Sequence, residues 1–165
     1  MEGQVRSFFL EDRGDIPNNQ HLPVIFYQGV FDDGLNMEAA FARHNWTNSW
    51  TGDIYDYHHY HSNTHEVLGV KSGKATLLLG GDDGERLELD AGDVIVLPAG
   101  TGHKKLESNF DFEVIGAYPN GMSHNLRERD PHGRAESLDE IQNVPVPDMD
   151  PVYGEDGPLR HKWVK

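Results

Sequence analysis

Glu66-Val67-Leu68-Gly69-Val70, the turn Lys71-Ser72-Gly73-Lys74, then Ala75-Thr76-Leu77-Leu78-Leu79, Gly80-Gly81-Asp82-Asp83-Gly84, Glu85-Arg86-Leu87-Glu88-Leu89 and, past Asp90-Ala91-Gly92-Asp93, Val94-Ile95-Val96-Leu97 form the stretch that decides the fold. Its apolar segments are too short for helices and are divided by Gly-rich turns, which reads as consecutive β-strands. The Asp83-Gly84 pair is expected to supply the positive φ angles of a tight hairpin. Leu87 and Leu89 fall on one face of their strand, with Arg86 and Glu88 on the other. Downstream, Phe110-Asp111-Phe112-Glu113-Val114-Ile115-Gly116-Ala117-Tyr118 opens with the same alternation and predicts one more strand. Regularly spaced short strands predict an all-β antiparallel sandwich or small barrel.

Helix is sparse. Asn36 is placed to cap Met37–His44, whose Met37, Ala40, Phe41 and His44 share one side. Ser137-Leu138-Asp139-Glu140 has capping-box spacing and predicts a second short helix starting at Ser137. Val144-Pro145-Val146-Pro147-Asp148-Met149-Asp150-Pro151 cannot continue a helix, so the tail reads as an extended wrap. With 165 residues the chain is sized for one domain, here 1–165, with a core at about 52–118 and terminal extensions wrapped around it.

Charge excludes one class of partner. Against 14 Lys and Arg stand 28 Asp and Glu, a formal charge of -14 that repels a phosphate backbone, so nucleic acid is not expected. No apolar run approaches the roughly 20 residues of a membrane-spanning helix, and Met1-Glu2-Gly3-Gln4-Val5-Arg6 lacks a signal-peptide layout; a cytoplasmic protein is expected. The chain has no Cys, so any metal must be held by nitrogen and oxygen.

Of 10 His in the chain, four stand in Tyr57-His58-His59-Tyr60-His61-Ser62-Asn63-Thr64-His65-Glu66. Residues two apart on a strand share a face, so His59 and His61 point inward together and form a chelating pair, with Tyr55 and Tyr57 on that side if the strand begins early enough. On the next strand Glu66 shares the face of Leu68 and Val70. If those face the core, Glu66 does too, and a buried carboxylate needs a compensating charge that a divalent cation would supply. A further ligand is available where the strand ending at Leu97 meets Pro98-Ala99-Gly100 and His103 follows.

These residues resemble the cupins, small double-stranded β-helix jelly rolls. The family's first motif, H-x-H, four residues, E, six residues, G, is matched by His59, His61, Glu66 and Gly73; its second, G, five residues, P-x-G, two residues, H, by Gly92, Pro98, Gly100 and His103. The resemblance implies that His59, His61, Glu66 and His103 are metal ligands. Two positions depart from the pattern: Gly52 precedes His59 by one residue more than usual, and Glu107 stands where the second motif often closes with Asn. Ile16-Pro17-Asn18-Asn19, Leu22-Pro23, Tyr55 to Val70, Ala99-Gly100-Thr101-Gly102-His103-Lys104, Gly116-Ala117-Tyr118-Pro119 and Asp150-Pro151-Val152-Tyr153-Gly154 are similar, more narrowly, to the YjlB-like bacterial cupins, a group that brings no reaction with it.

Other residues read structurally. His65 alternates away from Glu66 and is a packing histidine, substituting as ligand only if Glu66 is misplaced; His58 is a surface group or a supporting partner. Trp46, Trp50, Phe26, Phe31 and Phe41 belong to core or dimer packing, and Tyr55 and Tyr57 to sheet packing rather than to a pocket mouth. The acidic segment around Asp148 to Asp156 lacks EF-hand spacing and reads as a solvated turn. Three imidazoles and a carboxylate suit Mn, Fe, Co, Ni or Zn. The expectation is a metal-dependent enzyme acting on a small oxygen-rich molecule by oxidation, decarboxylation or isomerisation; the alternative is a non-catalytic module that binds a small ligand. Because cupins often pair through their sheets, and Phe8, Phe9 and Leu10 are apolar, a homodimer is expected.

Overall fold

A computed structural model describes residues 4–32 and 36–164; the opening Met1-Glu2-Gly3 considered above for a leader lies outside them. The strands are β1 Gln4–Phe8, β2 Val24–Gln28, β3 Trp46–Gly52, β4 His59–Tyr60, β5 Glu66–Ser72, β6 Lys74–Leu79, β7 Glu85–Asp90, β8 Val94–Leu97, β9 His103–Ser108, β10 Glu113–Pro119 and β11 Arg127–Glu128. The helices are α1 Met37–Arg43, α2 Arg134–Asn143 and α3 Leu159–Lys162. Every strand pairing is antiparallel, in a six-stranded sheet ordered β1-β2-β8-β5-β10-β3 and a five-stranded sheet ordered β11-β4-β9-β6-β7. This is the two-sheet, double-stranded β-helix arrangement the strand pattern calls for.

Packing explains the two kinds of strand in the sequence. The main core lies between the sheets, with Phe26, Leu68, Val70, Ile95, Leu97 and Val114 from one and Ala75, Leu77, Leu79, Leu87 and Leu89 from the other. The six-stranded sheet is also covered on its outer face: Ile25, Tyr27, Val67, Val94, Val96 and Ile115 pack with Met37 and Phe41 of α1 and with Leu159 and Trp163 of the tail. Buried on both faces, β8 reads as the unbroken run Val94-Ile95-Val96-Leu97. By contrast β7, open to solvent on one side, alternates. Gly69 lets α1 settle directly on the sheet, since a Cβ there would sit 2.1 Å from Met37 Sδ.

Several local expectations are corrected. The turn after β6 takes its positive φ angles from Gly80 (+89°) and Gly81 (+114°), not from Asp83-Gly84; Gly84 is required by close approach, a Cβ there lying 1.7 Å from the Leu79 carbonyl oxygen. Asn36 precedes α1 but makes no side-chain cap, and the helix stops at Arg43, one residue short of His44. The second helix starts at Arg134, preceded by a 3-10 turn at Pro131–Gly133 whose start Asp130 caps through the His132 N–H, so Ser137 is interior and buried, accepting the Tyr60 hydroxyl at 3.0 Å. The strand expected from Phe110 begins at Glu113 instead, and Phe110 is fully exposed.

The acidic tail is also not a solvated turn throughout. Asp150 is fully buried and accepts from the Tyr27 hydroxyl (2.6 Å) and from the N–H groups of Val152 (2.8 Å), Tyr153 (3.0 Å) and Leu159 (3.1 Å). A carboxylate saturated with donors can be buried, and here it pins the tail to the outer face of the sheet.

Candidate metal centre

Alternation on β5 sets the first ligand. Leu68 and Val70 enter the inter-sheet core and Val67 the outer layer, so Glu66 points inward, 2 % exposed. His65 points outward: its ring packs on Trp163 at 4.6 Å, its Nδ1 accepts from the Ala99 N–H and its Nε2 donates to the Pro145 carbonyl. With both nitrogens engaged in packing on the far side of the sheet, His65 is structural.

Register sets the others. His59 on β4 and His103 on β9 are direct cross-strand partners, and their ring centroids lie 4.1 Å apart. His61 follows β4, where the Gly100 N–H donating to its carbonyl (2.8 Å) ties the two histidine-bearing loops together. Glu66 Oε1 lies 3.4 Å from His61 Nε2 and 3.6 Å from His103 Nε2. His61, Glu66 and His103 thus bring donor atoms within 4.8 Å of one another, all three side chains buried, and have the chemistry and spacing to hold a metal ion. His59 lies outside that tight triad but lines the same cavity, its ring edge-on to His61 at 6.1 Å.

Each imidazole is fixed from behind. Nδ1 of His59 meets the Tyr57 carbonyl and Nδ1 of His103 the Thr101 carbonyl, both at 3.0 Å, and Nδ1 of His61 meets the Asn125 carbonyl. A carbonyl only accepts, so Nδ1 carries the proton and the neutral ring keeps its lone pair on Nε2. Glu66 is held in turn: the Tyr118 hydroxyl donates to its Oε2 at 2.9 Å, and Trp50 Nε1 donates to that hydroxyl at 2.8 Å.

The electrostatics favour a cation. Burial pushes the Glu66 carboxyl up, but His61, His103 and the Tyr118 hydrogen bond outweigh it and hold it at about 2, so the group is ionised inside the protein. Burial pushes His103 well below its ordinary value, reinforced by neighbouring His59 and His61, with Glu66 pulling the other way; His59 is likewise lowered by burial. Burial also opposes the charged form of His61, yet its contacts with Glu66 and Asn125 raise it overall. One buried carboxylate beside His59 and His103, whose rings resist protonation, is a donor set suited to a positive ion.

Around these groups is a cavity of about 260 Å³ lined also by Trp50, Asp53, Ile54, Tyr55, Leu68 and His124. Three readings change here. Trp50, assigned above to core or dimer packing, forms a cavity wall, whereas Trp46, Phe26 and Phe41 are core. Tyr55 is 53 % exposed at the cavity mouth rather than packed on the sheet, with its ring stacked on Tyr57 (5.0 Å, 19°) and edge-on to His59 (5.1 Å). His58 is 4 % exposed, not a surface group; its closest charged neighbour is Asp82, 3.4 Å from Nε2.

His124 and Asn125 are the residues that the motif spacing does not reveal. They lie on the connection from β10 to β11, where His124 stacks on Tyr118 (4.7 Å, 16°) and meets His61 edge-on (4.9 Å). Asn125 accepts the Ser62 N–H through Oδ1 (2.9 Å) and donates to Ser62 Oγ (2.7 Å), while Asn63 Oδ1 accepts the Asn125 N–H (3.0 Å). The Asn120-Gly121 pair with positive φ was the available signal that this connection turns sharply back.

A rolled pair of antiparallel sheets enclosing an inward His-Glu-His cluster is the architecture of a cupin, and residues 46–111 match the Cupin domain model. Over 165 residues the chain is 42% identical to the uncharacterized protein YjlB of Bacillus subtilis (strain 168), with 100% of both chains covered. The chain belongs to the cupins, as a YjlB-like single-domain member. Among solved structures it is similar to the WlaRB TDP-quinovose 3,4-ketoisomerase of Campylobacter jejuni, with 16% identity, 56% of this chain and 75% of that chain covered and a TM-score of 0.43. It is also similar to the acireductone dioxygenase of Bacillus anthracis with a cadmium ion in its active center, with 17% identity, 74% and 80% covered and a TM-score of 0.39. Among the described residues no helix is long and apolar enough to cross a membrane.

Proposed function

We propose that this cupin is a metal-dependent enzyme acting on a small oxygen-rich molecule, by oxidation, decarboxylation or isomerisation, with His59, His61, Glu66 and His103 as the ligands of a divalent transition metal, Mn, Fe, Co, Ni or Zn. The observation that carries the reading is the shared orientation of the imidazoles. Each spends Nδ1 on a backbone carbonyl, and Nε2 of His61 and of His103 converges on the buried Glu66 carboxylate. A bound metal supplies Lewis acidity or redox chemistry. The protein's own groups do the rest: Tyr118 holds one oxygen of Glu66, and Trp50 holds Tyr118.

The proposal takes residues 1–165 as one cupin domain, cytoplasmic and homodimeric; the 60 % exposed ring of Phe9 beside buried Leu10 supports a contact through the N-terminal segment. The second reading, a binding module without turnover, is favoured by one observation: the Tyr118 hydroxyl is engaged with Glu66 and the Trp50 indole N–H with Tyr118, leaving few groups to move protons on a substrate.

Elemental analysis of the protein purified without added metal, beside Glu66→Ala and His103→Ala, tests the centre. Wild type is expected to retain close to one ion per chain and both folded variants to lose most of it; equal occupancy in all three would overturn the ligand assignment. Product formation from a panel of small acids, diols and enols, lost in His61→Ala, separates the enzyme from the module.

A further inference from the structure

The connection from β10 to β11 is held differently from the barrel beside it. Among the described residues 120–128 none is buried, and the two large apolar side chains there, Met122 and Leu126, face solvent. β10, immediately before it, buries every residue from Val114 to Pro119. A segment without apolar burial is secured by polar contacts, and it opens at a lower free energy than the core strand it follows.

Those contacts converge on Ser62, fully buried in the turn after β4. Its hydroxyl donates to Glu140 Oε1 of α2 at 2.8 Å, and the same oxygen accepts from Asn125 Nδ2 at 2.7 Å and from Arg127 Nε at 3.4 Å. Its N–H donates to Asn125 Oδ1 at 2.9 Å. Next to it, Asn63 donates to the Ser123 carbonyl at 2.9 Å and accepts the Asn125 N–H at 3.0 Å. β11 adds a strand pairing of only two residues, Arg127 with Tyr60 and Glu128 with His59.

The segment also has a hinge and a load. At its join to β10, Asn120 and Gly121 have φ of +58° and +67°, and the Met122 N–H closes the turn onto the Pro119 carbonyl at 3.3 Å. Hinges are a few such positions at the end of an element. Beyond it, His124 stands in the cavity wall against Tyr118 and His61, and the Asn125 carbonyl is the acceptor for His61 Nδ1. Release of the Ser62 contacts would withdraw both at once: the cavity would lose part of its wall, and His61 the acceptor that fixes its ring.

We propose that residues 120–128 form a hinged lid over the cavity, latched by Ser62, and that closing the lid and aligning His61 are one event. The lid itself stands on these contacts; its coupling to a bound ion rests on the metal-centre reading given above.

Hydrogen exchange read by mass spectrometry on the full-length protein tests both parts. After chelator treatment, the amides of 121–128 are expected to exchange roughly a hundredfold faster than those of β10, and roughly tenfold faster again in Ser62→Ala, with β10 unchanged. Asn63→Ala, which spares Ser62, loosens the same latch if Ser62→Ala misfolds. Zinc is expected to slow the lid amides roughly tenfold in wild type and to bind Ser62→Ala more weakly, because linkage is reciprocal. Lid amides as slow as those of β10, or lid exchange unaltered in both variants, overturns the lid. One zinc bound per chain with lid exchange unaffected overturns the coupling to His61. A wild-type chain that takes up no zinc by elemental analysis overturns the metal reading and the coupling with it, and exchange in the chelator-treated protein then decides the lid by itself.

Discussion

The hydroxyl of Tyr118, on β10, donates to Oε2 of Glu66, on the adjacent β5, at 2.9 Å, inside the core and 52 residues apart in sequence. The bond occupies one carboxylate oxygen and leaves Oε1 facing His61 and His103. The adjoining carboxylate accordingly helps push the Tyr118 phenol well above its ordinary value, after burial itself.

Replacing Tyr118 by Phe frees Oε2 and removes the partner of Trp50. Partners of this kind are worth roughly 10–100-fold in metal affinity. Tyr118→Phe is expected to fold and to bind metal about tenfold more weakly, measured by competition with a chromophoric chelator. Unaltered affinity would mean that the ligand oxygen is held by something else.

Metal removal should reach the whole fold, because it leaves an ionised carboxylate buried. An ion present at a hundredfold excess over its Kd stabilises by about 2.7 kcal/mol, which for a chain of this size is roughly 5–10 °C in Tm. Scanning calorimetry of metal-loaded and chelator-treated protein reads this directly; identical melting with every transition metal tested would contradict a specific site.

On the opposite face, Tyr27 donates to buried Asp150, and burial followed by that carboxylate raises its phenol well above the ordinary value near 10. A raised value in the folded state means that the stabilisation is fully present below about pH 10 and is lost as the pH climbs past it, since the unfolded chain ionises first. Tyr27→Phe is expected to cost about 1–3 kcal/mol at neutral pH, and the gap to wild type should narrow between pH 9 and 11 in thermal melts. A gap that stays constant would show that the phenol does not contribute through ionisation.

Gly84→Ala isolates close approach from backbone conformation, because Gly84 has no positive φ yet its Cβ would meet the Leu79 carbonyl at 1.7 Å. Backbone atoms cannot step aside as a side-chain tip can, so a loss of about 1–3 kcal/mol is expected in urea unfolding. A near-neutral result would place the two strands of this hairpin further apart than described.

Strand identity and facing were legible because both follow from neighbours in sequence. Alternation at Leu87 and Leu89, the continuous run at Val94 to Leu97 and the shared face of Glu66, Leu68 and Val70 need only the two-residue period of a strand. The same rule set His65 apart from Glu66. It failed where burial is decided elsewhere: His58 alternates away from the cavity yet is covered, and Asp150 sits in an acidic stretch yet is saturated by Tyr27 and three backbone donors.

By itself, then, the amino-acid order determined which residues could be strands, which way Glu66 and the paired histidines face, and the donor chemistry available to an ion. Only the tertiary structure decided that His103 lies across from His59, that Asn125 reaches back to orient His61, that Tyr118 and Trp50 hold Glu66, and that His124 stands at the rim. Those relations depend on strand register and on how the chain returns across the barrel, long-range choices fixed by the joint packing of both sheets rather than by any local pattern.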